Sequence, residues 1–102
     1  MAMFENDRYI TRGIQSRIPD HLIRTMWNII DMVPAEHRDY LQIFELDVIG
    51  NGSARTQIIK HWQEEPEYYS PIVYIPYGEF FKGEIFAIDD GPNSVMCFPD
   101  ER

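Results

Sequence analysis

This 102-residue chain lacks the residues on which several common protein classes depend. It has one cysteine, Cys97, which excludes a disulfide framework and any cysteine-based zinc or iron–sulfur site within one chain. No apolar run reaches the roughly 18 residues that a membrane helix needs. Basic residues are few, with 9 Lys and Arg against 17 Asp and Glu. Because binding to phosphates needs a basic footprint, we expect no direct nucleic-acid binding.

The motifs that carry nucleotide, metal or catalytic chemistry are also missing from the sequence. There is no glycine-rich phosphate loop. The histidines, His21, His37 and His61, fall in different predicted elements and not at the spacing of metal ligands. Residues 89–91, Asp-Asp-Gly, offer too few oxygens for a calcium loop and are typical of a hairpin turn. We therefore expect no catalytic residues, no cofactor and no metal site.

What the chain does contain is enough apolar residues for a folded core. Its net charge of −8 is spread over a sequence that is 44% hydrophobic and 14% aromatic, unlike a disordered acidic chain. The length fits a single domain, 1–102, in which residues 1–7 are expected to be a flexible N-terminal segment. The polar N-terminus does not resemble a signal peptide, which favours a cytoplasmic location without membrane contact.

An apolar stripe at helical spacing predicts one helix over residues 20–33. Pro19 suits its first turn, and Pro34 ends it because the residue before a proline avoids the helical region. The stripe consists of Leu22, Ile23, Met26, Trp27, Ile30 and Val33.

The remaining patterns predict strands joined by short turns. Residues 8–13, 40–49, 55–63, 83–89 and 94–98 are the predicted strands. A Gly-Asn-Gly-Ser turn at 50–53 predicts a hairpin, and residues 68–76, with Pro71 and Pro76, predict an edge strand or extended loop. This order indicates an α+β fold: a curved, mainly antiparallel sheet of five or six strands with the helix packed on one face.

One candidate binding region is an acidic and aromatic run after the third strand. Neighbouring carboxylates in a polar break are typical of a solvated face, whereas tyrosines are favoured at protein interfaces. We expect this run to contact a protein partner. Its residues are Glu64, Glu65, Glu67, Tyr68 and Tyr69.

A second candidate is a basic segment that departs from the acidic trend. Residues 8–24 hold four arginines and one aspartate. Strand alternation places Arg8 and Arg12 on one face, which makes them a candidate anion contact. The alternative is that these arginines pair with the surplus acids of the same chain.

Several segments together resemble a known family. They are residues 4–13, 18–19, 27–31, 40–46 and 84–91. In these segments the chain resembles the domain-of-unknown-function 960 family, small proteins of Gram-positive bacteria and their mobile elements. The resemblance implies a small cytoplasmic bacterial protein without an assigned reaction, and it carries over no site residues.

Three functions from different classes fit these observations. The first is a small acidic protein-binding module, an inhibitor or accessory protein encoded by a mobile element and acting on a basic or nucleic-acid-handling partner. The second is a homo-oligomeric accessory protein in which residues 68–76 pair across a two-fold axis. The third is an enzyme, for which His61, Glu64 and Asp89 would be the first residues to test; it ranks last.

Overall fold

The computed structural model describes residues 2–102, which form two helices and seven strands. Helix α1 spans Arg12–Arg17 and helix α2 spans Asp20–Met32. The strands are β1 Asp7–Ile10, β2 Leu41–Ile49, β3 Thr56–Glu64, β4 Glu67–Tyr69, β5 Val73–Ile75, β6 Gly83–Asp89 and β7 Asn93–Cys97. Short 3-10 turns occupy Ala35–His37, Gly52–Ala54 and Pro99–Glu101.

All the strands belong to one curled sheet with the order β1-β7-β6-β2-β3-β4. Strand β1 is parallel to β7, and the other pairs are antiparallel. The predicted α+β fold, with a curved and mainly antiparallel sheet, is confirmed. The sheet has one more strand than expected because the predicted edge segment divides around Pro71 into β4 and β5, which both pair with β3.

Helix α2 confirms the helix predicted from the apolar stripe. It ends at Met32, where the amide of Val33 still donates to the carbonyl of Ile30 at 3.1 Å before Pro34 stops the helix. Asp20 lies in its first turn, at the positive end of the helix dipole. The buried residues of the helix are Leu22, Ile23, Met26, Ile29 and Ile30.

Helix α1 was not predicted, and the strand expected over residues 8–13 is wrong beyond Ile10. Thr11 caps the helix, since its hydroxyl accepts a hydrogen bond from the amide of Ile14 at 3.3 Å. Gly13 does not end a strand. A Cβ at Gly13 would lie 2.5 Å from a carboxylate oxygen of Glu101, so this glycine permits a close contact with the far end of the chain.

The N-terminal segment packs against the body, where the sequence predicts a flexible stretch over residues 1–7. Met1 lies outside the described residues. Phe4 is 1% exposed and belongs to the core, and its amide donates to the Asp89 carboxylate at 2.7 Å. Arg38 donates to the carbonyl of Met3 at 3.1 Å. These contacts lead directly into β1 at Asp7.

The core lies between the two helices and one face of the sheet. It joins residues from both ends of the chain, from Phe4 to Phe98, into a single cluster. The helices contribute Ile14, Leu22, Met26 and Ile30, and the sheet contributes Phe44, Leu46, Ile59, Ile85, Ala87 and Met96. Full burial of each large apolar side chain stabilises the fold by about 1.5–3 kcal/mol.

We predict that Phe4→Ala lowers the free energy of unfolding by about 3–5 kcal/mol, because it leaves a cavity in the core. Met3→Ala is the control, since Met3 is 39% exposed and its truncation should have a small effect. Urea denaturation of both variants measures the difference. Equal stability of Phe4→Ala and the wild type would show that the N-terminal segment is not anchored.

Candidate functional site

Strand alternation gives the sheet two chemically different faces. Phe44, Ile59 and Ile85 belong to the core and define the face on which both helices pack. Their sequence neighbours point the other way, onto what we call the outer face. There, one residue from each of five adjacent strands forms a cross-strand row: Cys97, Phe86, Ile43, Trp62 and Tyr69.

A groove of about 550 Å³ lies on the outer face over β2, β3 and β4. Tyr69 is 65% exposed beside it, and Trp62 is half-buried. The ammonium of Lys60 lies 3.6 Å from the carboxylate of Glu45, its cross-strand partner. The groove therefore combines two aromatic rings with an ion pair. Its lining consists of Glu45, Lys60, His61, Trp62, Tyr69 and Ile72.

The β3–β4 hairpin holds the predicted partner-binding run, and its register places two of the three acids on the outer face. Glu64 and Glu67 are direct cross-strand partners, one step along the outer face from Trp62 and Tyr69. No Lys, Arg or His nitrogen of residues 2–102 lies within 4.0 Å of either carboxylate. Two like charges thus face each other without a counter-ion.

The other two members of the run lie elsewhere. Tyr68 is the cross-strand partner of Gln63, so its side chain points to the helix-covered face, away from Tyr69. Glu65 is exposed at the hairpin turn, where its amide donates to the Asp39 carboxylate at 3.0 Å. A role of this run in binding a partner stays a prediction.

Four residues of the groove were not predicted from the sequence: Glu45, Lys60, Trp62 and Ile72. For Trp62 a signal is present, because it lies two residues before Glu64 and therefore on the same side of the strand. Glu45 is brought beside Lys60 only by the register of β2 against β3. Ile72 lies between β4 and β5, in the segment that the sequence did not resolve into two strands.

Arg8 and Arg12 do not share a strand face, so the geometric basis for the predicted anion contact is wrong. Arg12 is exposed at the first residue of α1. Arg8 donates to both carboxylate oxygens of Asp31, at 2.5 and 3.2 Å, and to the carbonyl of Phe4 at 2.9 Å. Its guanidinium also lies 5.0 Å from the centre of the Trp27 ring. Arg8 is thus engaged within the chain.

His61 belongs to a buried polar network on the helix-covered face. Its Nε2 lies 2.6 Å from the side-chain oxygen of Gln42, and its Nδ1 lies 2.6 Å from the hydroxyl of Ser70. The amide nitrogen of Gln42 donates to Gln63 at 2.8 Å. Gln63 in turn donates to the carbonyls of His37 and Pro66 at 2.7 and 2.8 Å. The network ties β2 and β3 to the loops beside them.

This network fixes the protonation of His61. Because the Gln42 oxygen can only accept, Nε2 carries the hydrogen, and Nδ1 accepts from the Ser70 hydroxyl. Burial lowers the pKa of His61 from 6.5 to about 4, so the ring is neutral at neutral pH. Its role is structural, since both nitrogens are engaged inside the protein.

The residues proposed for an enzyme site are not brought together. His61 and Glu64 point to opposite faces of β3. Asp89 lies at the end of β6 and accepts hydrogen bonds from the amide of Phe4, from Asn6 and from the amide of Gly91. Cys97 is buried, and burial raises the pKa of its thiol, which disfavours the nucleophilic thiolate.

Residues 2–102 contain no group of three or more His, Cys, Asp or Glu side chains placed to hold a metal ion. Neither of their helices is long and apolar enough to cross a membrane.

These features define an α+β protein in which both α-helices found within residues 2–102 pack on the same face of the sheet. A family model described as a staphylococcal protein of unknown function, the domain-of-unknown-function 960 family, matches residues 7–101. The chain therefore belongs to this family, and the resemblance seen in the sequence is confirmed.

A solved structure has a similar fold. It is the crystal structure of a protein of unknown function from Enterococcus faecalis, 26% identical, with a TM-score of 0.72. The match covers 97% of this chain and 92% of that chain. No curated protein matches the sequence. The comparisons assign the family and the fold, and the description of neither match names a reaction or partner.

The lowered pKa of His61 predicts acid sensitivity of the fold. The unfolded chain binds the His61 proton near pH 6.5 and the folded chain only near pH 4, so stability falls as the pH drops between these values. From about pH 7 to about pH 5, the free energy of unfolding should fall by about 2 kcal/mol through this group. Denaturation at both pH values, for the wild type and His61→Gln, measures this contribution.

His37→Gln is the matched control, because His37 is exposed and should leave the wild-type pH dependence unchanged. His61→Gln should lose stability at neutral pH but show a shallower dependence on pH. The same pH dependence in His61→Gln and the wild type would contradict a neutral, buried His61.

The facing pair of Glu64 and Glu67 predicts that one of these acids costs stability. Like charges directly opposite across an antiparallel pair are destabilising, by about 0.2–1 kcal/mol. Glu67→Gln should therefore raise the free energy of unfolding at low salt, and salt should reduce the gain. Glu79→Gln, also at an exposed acid, is the control. A loss of stability in Glu67→Gln would show that the carboxylate has a stabilising partner.

Proposed function

We propose that this protein is a small acidic binding module, an inhibitor or accessory protein, that docks a basic segment of a partner protein on the outer face of its sheet. The observation that carries the proposal is the groove with Trp62 and Tyr69, together with the next cross-strand pair, Glu64 and Glu67, whose carboxylates have no counter-ion within residues 2–102. The expected link to a mobile element stays a prediction, which the genes around its coding sequence can test.

The chemistry of the groove supports a protein partner. Trp and Tyr supply much of the binding energy at interfaces because they combine a large apolar body with a polar group. The row continues to Ile43 and Phe86, but Ile43 is buried and the guanidinium of Arg102 lies over the Phe86 ring, so the docking surface centres on Trp62 and Tyr69. The net charge of −8 would attract a basic partner over a distance and repel nucleic acid.

Self-association is the alternative, and the free edge formed by β4 and β5 favours it. A two-fold pairing along β4, however, would place Glu64, Glu65 and Glu67 of one copy close to the same acids of the other. This repulsion opposes a dimer through β4 at neutral pH. Light scattering over a range of concentrations distinguishes the two functions, since the binding module is expected to be a monomer alone.

Affinity capture from bacterial lysate with matched charge variants tests the proposal. Glu64→Lys, Glu65→Lys and Glu67→Lys combined change the net charge by six units, from −8 to −2. The control combines Glu36→Lys, Glu79→Lys and Asp100→Lys, which change the charge equally at exposed positions outside the β3–β4 hairpin. We expect a basic protein to bind the wild type and the control but not the hairpin variant.

High salt should weaken this capture, because exposed charges are screened. An equal loss of capture in both variants would show that net charge, and not the hairpin, attracts the partner, and would contradict docking at the hairpin. Capture that is insensitive to all six changes and to salt would contradict the proposal.

A further inference from the structure

We infer that the groove on the outer face binds an arginine side chain of the partner, with the guanidinium stacked on Trp62 and paired with the carboxylates of Glu64 and Glu67, the next cross-strand pair along the outer face. The inference rests on the proposed function, because it names the group by which the basic partner is anchored. Three observations support it. Most arginines of the chain stack on aromatic rings, the rings of Trp62 and Tyr69 have no such partner within residues 2–102, and acids without a counter-ion lie beside them.

Most arginines of this chain already stack on aromatic rings. Arg8 lies 5.0 Å from the centre of the Trp27 ring, and Arg17 lies 3.9 Å from that of Phe98. Two further pairs are Arg55 with Phe80 at 5.1 Å and Arg102 with Phe86 at 5.9 Å. These distances are within the about 6 Å over which a cation is attracted to a ring face.

The rings of Trp62 and Tyr69 have no such partner. No guanidinium of residues 2–102 stacks on either of them, nor on Tyr74, which lies on the same face outside the groove. Both rings line the groove, whose volume of about 550 Å³ exceeds what one side chain needs. Trp gives the strongest attraction of a cation to a ring. The groove therefore offers the contact that the chain's own arginines make elsewhere.

No cation of residues 2–102 pairs with the acids beside the rings. Glu64 and Glu67 face each other across β3 and β4, next to the pair formed by Trp62 and Tyr69. A guanidinium that lies over Trp62 with its nitrogens toward these acids would hydrogen-bond to one or both carboxylates. It would also remove the repulsion between the two acids. A charged site that is unfavourable when empty and neutralised when occupied is suited to binding.

Lys60, on the side of the groove away from Glu64, competes with the partner's arginine for the carboxylate of Glu45. Its ammonium pairs with Glu45 at 3.6 Å, and both side chains are 46% exposed. Such an exposed pair is weak and can rearrange. Removing the charge of Lys60 frees Glu45 for the incoming cation and removes a repulsive charge. Lys60→Met should therefore strengthen the binding of a basic ligand, although it deletes a residue of the groove.

Arginine fits this site better than lysine for geometric reasons. The guanidinium is planar, so it can stack on the indole while its edge nitrogens reach a carboxylate. An ammonium is compact and strongly hydrated, so it cannot make both contacts as effectively. The site should thus discriminate between two ligands of the same charge.

Titration calorimetry with two synthetic peptides tests the inference. The peptides have equal length and charge and alternate serine with either arginine or lysine. We expect the full-length wild type to bind the arginine peptide more tightly. Trp62→Leu should weaken this binding by about tenfold and reduce the preference for arginine. Lys60→Met should strengthen the binding of both peptides severalfold.

Two further variants distinguish loss of the arginine site from unfolding and from the loss of any exposed tyrosine. Tyr69→Leu changes a residue that is 65% exposed, so this variant should fold normally. It should nevertheless bind the arginine peptide more weakly than the wild type does. Tyr74→Leu is the matched control: Tyr74 is 60% exposed on the same face, opposite Ile58, and does not line the groove. We expect Tyr74→Leu to bind as the wild type does.

Equal binding of the two peptides, with no effect of Trp62→Leu or Tyr69→Leu, would overturn the inference. If the hairpin charge variant still lost its captured partner, the proposed function would stand without an arginine site. If neither peptide bound the wild type, the arginine site would be excluded. Loss of partner capture in Trp62→Leu and Tyr69→Leu, but not in Tyr74→Leu, would support both the proposed function and the arginine site.

Discussion

The rest of this structure depends on the packing of both helices against a single face of the sheet. The apolar residues of α1 and α2 meet Phe44, Ile59 and Ile85 there, and this burial supplies most of the core. Because strand residues alternate, every second residue of β2, β3 and β6 must then point away from the helices. The outer face, with Trp62 and Tyr69, is the direct consequence of that one-sided packing.

The polar network around His61 shows where the helices stop covering the sheet. Helix α2 ends at Met32, and the loop after it passes over the end of β3 with its carbonyl groups pointing inward. Apolar side chains at these positions would leave the carbonyls of His37 and Asp39 without partners. Gln63 and Gln42 satisfy them instead, and His61 donates to the side-chain oxygen of Gln42, so the network ties β2 and β3 to this loop.

The sequence predicts those parts of the fold that depend on local pattern, such as helix α2 and the β2–β3 hairpin. It does not predict α1, because the role of Gly13 depends on Glu101, which is distant in sequence. The parallel pairing of β1 with β7 is likewise set by tertiary packing. The same distinction holds for the candidate site. The acids of the hairpin can be recognised in the sequence because they are consecutive or nearly so, whereas the pairing of Trp62 with Tyr69 depends on the register of β3 against β4.

Mapping of NMR chemical shifts during addition of the arginine peptide is the most direct test of binding on the outer face. We expect an alternating pattern along the strands: Ile43, Trp62 and Tyr69 shift, whereas their neighbours Phe44 and Gln63, on the covered face, shift little. The indole signal of Trp62 should move and that of Trp27 should not. Shifts concentrated on helix α2, or without alternation along β3, would contradict binding on the outer face.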